Sequence, residues 1–196
     1  MRKLALVALL LAPASAAAQS TGTPVFAAPY RAFERSELGV SLSDPGAGLA
    51  IEGFYKAAKG KWDIGLRAGF QDNSGGDTPI LLGVDARSKL VQHSESFPLD
   101  GALTVGVGAN LYDGGNLMLV PVGISLGRRV NLEGDNVSFV PYFHPVLTPV
   151  FGSGYSDLLF SVGLGADVKV GGNVDLRISG ALGDYSGIGF SAAWLH

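Results

Sequence analysis

At 196 residues and 20.2 kDa the chain has room for one domain, and without cysteine it has neither disulfide staples nor a thiolate metal site. A formal net charge of −3 leaves no basic stripe for nucleic acid. Only 16% of residues are charged, mean hydropathy is +0.30, and there are 29 glycines, which excludes an ordinary soluble composition and long helices.

Residues 1–18 have the form of a secretory leader. Arg2-Lys3 start it, Leu4 to Leu11 are apolar, and Ala16-Ala17-Ala18 predict cleavage near Ala18, before Gln19. The apolar stretch is shorter than the roughly 20 residues a spanning helix needs. The chain is therefore expected to be exported, with 19–36 as a periplasmic N-terminal lead-in and 37–196 as one domain. Alternating segments then predict strands near 37–43, 48–58, 61–71, 79–88, 99–110, 117–128, 137–146, 157–170, 174–183 and 187–196. Most approach the 9–11 residues of a tilted spanning strand. Eight strands is the alternative, if the short first segment and the proline-interrupted 137–146 run are not strands. With the N-terminus periplasmic, Asp44–Ala47, Asp72–Thr78, Asp113–Asn116, Leu147–Ser156 and Asp184–Ser186 face outside. Lys59-Gly60, Ser88–Pro98, Arg129–Asn136 and Gly171–Asn173 face the periplasm.

Two hairpins carry opposite charges on one face and apolar residues on the other. A two-residue turn at Lys59-Gly60 sets Lys56 opposite Asp63 and Glu52 opposite Arg67. A three-residue turn at Gly171-Gly172-Asn173 sets Lys169 opposite Asp175 and Asp167 opposite Arg177. Asp85 and Arg87 share the charged face of the fourth strand. The inward set Glu52, Asp63, Asp85, Asp167 and Asp175 thus balances Lys56, Arg67, Arg87, Lys169 and Arg177. Gly65, Gly69, Gly83, Gly106, Gly108, Gly163 and Gly165 leave space between them. Balanced charges suit a closed lumen, where an unpaired charge costs several kcal/mol. Tyr55, Trp62 and Trp194 fall near one set of strand ends, and Phe70, Tyr112, Tyr155 and Tyr185 near the other, as two aromatic girdles do.

These features predict an all-β fold, a closed antiparallel up-and-down transmembrane β-barrel of ten strands (alternative eight) with a largely filled lumen. Alternation alone also permits the inverse, a soluble periplasmic lipocalin-like barrel with the apolar face inside and an apolar ligand.

The last strand, Ile188, Phe190, Ala192, Trp194 and His196, alternates to the chain end. With the leader and strand count, this resembles the small outer-membrane β-barrel proteins, including the OmpA-like and opacity-type families. The resemblance covers nearly all of the chain after the leader and is one of pattern. Those families usually end in Phe or Trp, whereas this chain ends in His196. The resemblance implies residence in the bacterial outer membrane, contact with its lipid and lipopolysaccharide, and delivery by the barrel assembly machinery through the C-terminal strand. A monomer is expected, with a structural, adhesive or narrow-conduit role.

No catalytic, cofactor or metal residue is assigned. His93 is expected in a solvated loop and His144 at a strand end, and no two histidines have metal-ligand spacing. A third reading, a hydrolase or acyltransferase at the outer rim, would have to use His144 with Ser153, Ser156 or Asp157. The Gly106-Val107-Gly108 and Gly163-Leu164-Gly165 pairs lie in strands and are not dinucleotide fingerprints. Leu147–Ser156 is the expected place for binding specificity.

Overall fold

The computed structural model describes residues 20–29, 34–46, 48–132, 137–184 and 186–196. The expected leader, 1–18, and Tyr185, expected in an aromatic girdle, lie outside them. The strands are β1 (Glu37–Asp44), β2 (Gly48–Lys59), β3 (Trp62–Asn73), β4 (Ile80–Val91), β5 (Asp100–Tyr112), β6 (Gly115–Leu119), β7 (Val122–Gly127), β8 (Val130–Asn131), β9 (Ser138–Gly152), β10 (Tyr155–Val170), β11 (Val174–Gly183) and β12 (Gly187–Leu195). All pairings are antiparallel, and β1 pairs with β12 from Glu37↔Leu195 to Asp44↔Ile188, which closes the sheet. β6 and β7 are two lengths of one stave broken at Val120-Pro121, and β8 extends it along β9. The twelve segments therefore form a closed barrel of ten staves.

Burial settles which face is which. Along β3, Ile64 and Leu66 are 47% and 57% exposed, whereas Asp63 and Arg67 are 0% and 6% exposed. The same inversion holds around the wall, with apolar side chains out and charges in. A lipocalin-like binder needs the opposite. An exterior this apolar suits hydrocarbon, where a closed barrel leaves no backbone group without a partner.

The β2–β3 turn is displaced by one residue from its expected position. It is Gly60-Lys61, with Lys59 opposite Trp62, so Lys56 faces Gly65 and Glu52 faces Gly69. Gly60 has φ +66, and among the described residues no non-glycine has positive φ. The glycine thus takes the first central position of a II′-type turn, where positive φ is required. Every residue keeps its face, but its cross-strand partner moves by two positions. The β10–β11 hairpin has Lys169 opposite Asp175 and Asp167 opposite Arg177.

Strand β9 is longer than alternation predicts. It runs through Pro141, Pro145 and Pro149, so Leu147–Ser156 is no loop but the tip of a hairpin turning at Ser153-Gly154. The carbonyls of Pro149 and Pro141 accept from Val120 N and Arg128 N on the β6/β7 side. Since amide and carbonyl of one residue aim the same way in this ladder, the donors lost at the three prolines all belong to that edge. The β10 edge pairs without interruption from Gly152↔Tyr155 to Ser138↔Lys169. At the other end of the chain, the lead-in is not confined to the barrel's mouth: residues 20–29 thread the lumen.

Candidate functional site

The lumen is the most elaborated region of the molecule. Lys56 Nζ donates to Asp85 at 2.7 Å, and Arg87 pairs with Asp63 at 2.7 Å. The partners are thus exchanged relative to the sequence pairing: Lys56 meets Asp85, and Asp63 meets Arg87. Arg67 and Glu52 lie 3.4 Å apart, one pairing step off the direct register. Arg177 forks onto Glu37 through both terminal nitrogens and lies 3.5 Å from both Asp167 and Asp175. Glu37 was missed in the charge ledger, although the order Glu37, Gly39, Ser41, Ser43 against Leu38, Val40, Leu42 places it inward. Lys169 is half-buried at the terminal mouth. Phe54 points inward, with Arg67 and Arg177 5.9 and 5.8 Å from its ring centre.

Residues 20–29 fill the space these charges enclose. Thr23 Oγ1 donates to Glu52 at 2.7 Å, and Ser179 Oγ on β11 donates to the Pro24 carbonyl at 2.7 Å. Phe26 N donates to Ser179 Oγ, Ser125 Oγ on β7 donates to the Ala27 carbonyl, and Arg87 on β4 donates to the Ala28 carbonyl. The wall is cut to fit this segment. A Cβ at Gly108 would collide with the Ser20 carbonyl, and one at Gly163 would enter the Phe26 ring. Phe26 also meets His144 edge-on, with ring centres 5.4 Å apart. The segment lacks a period-2 pattern because it is an irregular strand of core, so its sequence carried no signal of its place. The inward glycines did mark the room for it.

His144 is buried, and its Nε2 lies 2.7 Å from Thr104 Oγ1. Ser153, Ser156 and Asp157 are exposed at the hairpin tip. Asp157 pairs with Val150, six residues along β9 from His144, or about 20 Å at strand rise. These residues are not brought together. His93 is less free than a solvated loop implies, because its backbone N and Nδ1 both meet the buried Asp100 carboxylate, at 3.0 and 3.1 Å. A cavity of about 20 Å³ touches Ser20, Asp85, Thr104 and His144, room for about one water.

Tyr55, Trp62 and Trp194 are exposed toward the end that carries the termini, and Phe70 and Tyr155 toward the opposite end. Tyr112 is half-buried. Charge outside the lumen also sorts by end. The turns remote from the termini carry Asp44, Asp72, Asp77, Asp113, Asp157 and Asp184 and neither Lys nor Arg. Among the described residues, the connections at the terminal end hold Arg35, Lys59, Lys61, Lys89, Arg128, Arg129 and Lys169 against Glu34 and Glu95.

Among solved structures, this barrel is similar to the β domain of the Bordetella autotransporter BrkA, at 13% identity and TM-score 0.53, covering 83% of this chain and 99% of that one. It also matches a bacterial polysaccharide outer membrane secretin at 10% identity and TM-score 0.48, covering 76% of this chain and 57% of that chain. A further match is a structure from the de novo design of transmembrane β-barrels, at 14% identity and TM-score 0.43, covering 83% and 95%. The chain therefore spans little more than half of the secretin's length. No family model and no curated protein matches the sequence. At such identities the likeness concerns the fold alone. Together with the apolar exterior, it defines a closed, antiparallel, membrane-spanning β-barrel of ten staves.

Proposed function

We propose that the chain is an integral barrel of the bacterial outer membrane, reached after leader cleavage near Ala18, that is sealed by its own N-terminal segment. Its role is structural or adhesive, without catalysis or cofactor, and a steady open conduit is not part of it. The observation that carries this reading is the set of hydrogen bonds from residues 20–29 to β2, β4, β7 and β11, made inside a wall whose glycines leave space for that segment. Its partners are outer-membrane lipid and lipopolysaccharide, and the assembly machinery that receives β12. The barrel works as a monomer with the terminal end periplasmic. The alternation that ends β12 supports kinship with OmpA-like and opacity-type barrels.

Planar-bilayer recording tests the seal. The full chain is expected to give no stable conductance steps, and a variant lacking residues 20–29 is expected to open a channel. Steady conductance by the full chain would overturn the sealed reading. A heat-dependent gel shift of the detergent-extracted protein tests the barrel itself.

A further inference from the structure

The exterior carries an apolar trough of about 870 Å³ where β12, β1, β2 and β3 meet. Its floor is a row of short side chains, of which Val40 is the bulkiest, set side by side by the register: Ala192 against Val40, Val40 against Gly53, and Gly53 against Ala68. The neighbouring row toward the termini is large, with Trp194, Leu38, Tyr55 and Leu66 in register. So is the row on the other side, with Phe190, Leu42, Ile51 and Phe70. A Cβ added at Gly53 meets nothing within 4 Å, so none of the described residues fills the floor there.

The terminal end of the trough has its own chemistry. The His196 ring stacks 5.5 Å from Trp194 and lies 5.9 Å from Tyr55, a collar of three amphipathic rings. Beyond the collar, Lys59 precedes the β2–β3 turn and Lys61 is its second residue, both exposed. Lys59 stands six residues along β2 from Gly53, about 20 Å of strand and roughly 14 Å of depth at a 45° tilt. That depth is about half of a hydrocarbon layer of ~30 Å. Apolar trough, aromatic collar and paired cations thus follow one another as tail, backbone and headgroup do in one leaflet.

We propose that this trough binds one anionic glycerophospholipid, with an acyl chain over Gly53, Ala68 and Ala192 and the phosphate at Lys59 and Lys61. The assignment rests on the reading above that the terminal end is periplasmic. Charge complementarity favours this occupant over a second copy of the chain, since the cations sit where headgroups lie and the other rim is acidic.

The test is native mass spectrometry of the full-length barrel in mild detergent, supplemented with phosphatidylglycerol or phosphatidylcholine. The parent is expected to retain one phosphatidylglycerol and to prefer it to phosphatidylcholine. Gly53→Leu, and separately Ala68→Leu, should weaken retention about tenfold or more by occupying the floor. The double variant Lys59→Glu, Lys61→Glu should lose the preference for the anionic lipid. Undiminished retention in both leucine variants would overturn the proposal, as would equal retention of the two lipids by the parent. A lipid-free dimer that dissociates in Gly53→Leu would overturn it in favour of a second copy. Loss of the heat-dependent gel shift in the parent would instead remove the barrel reading, and is scored separately on the same preparation.

Discussion

The two edges of β9 are built on opposite principles. Toward β10, every residue from Ser138 to Gly152 has a partner, and the pair forms the longest hairpin in the barrel. Toward β6 and β7, pairing is broken: Leu147 meets Val122 and Phe143 meets Leu126, but no pairing joins Pro145 and Ile124 between them. Pro141, Pro145 and Pro149 occupy every second residue that should donate to this edge. Inside lipid a carbonyl left without a donor costs several kcal/mol, so the seam needs other support. His144 supplies it. Its ring passes under Gly123 of β7, where an added Cβ would lie 2.9 Å from Nε2, and reaches Thr104 on β5. A closed barrel is thus held at one seam by interrupted backbone pairing with a side-chain strut beneath it, and at the next by an unbroken backbone ladder.

The contrast is breakable from either side. Val146→Pro places a proline where the amide aims at β10, on the complete edge. A loss of about 3 kcal/mol or more is expected, with the heat-dependent gel shift abolished. If this variant stays as stable as the parent, the two edges are not different in kind. His144→Ala removes the strut and should cost roughly 1–3 kcal/mol in the urea midpoint. A double-mutant cycle with Thr104→Val should recover most of that as coupling, and additive losses would show that the two residues act independently. Pro145→Ala restores a donor opposite Ile124. A gain of about 1 kcal/mol is expected, seen as slower unfolding and slower amide exchange at Ile124. No gain would mean the seam is limited by something other than missing donors.

Much of this architecture is legible in the sequence, because period-2 alternation is a direct image of a wall with an apolar outside and a charged inside. Ten segments, their faces and the charge-bearing positions follow from it. Partner identity does not follow. Lys56 and Asp63 share a face, but the II′ turn at Gly60 moves the register by two, so Lys56 reaches across Gly65 to Asp85 in the same row, and Asp63 pairs with Arg87 directly opposite it on β4. Proline was an equally poor guide on β9. It disrupts only the edge its nitrogen faces, so a strand can continue through it while its other edge stays paired. Residues 20–29 were opaque for a different reason: a segment surrounded on all sides has no alternating environment to imprint a period. Their trace lies in the wall, at Gly108 and Gly163.

That segment is also a ligand fastened to its own receptor. Residues 30–36 join it directly to β1, which lies in the closing pair of the barrel. A short covalent leash holds such a ligand at an effective concentration on the order of millimolar. Any excursion from the lumen would therefore be brief and self-reversing, independent of how dilute the protein is. An agent that kept the barrel open would have to compete with that local concentration, or cut the leash.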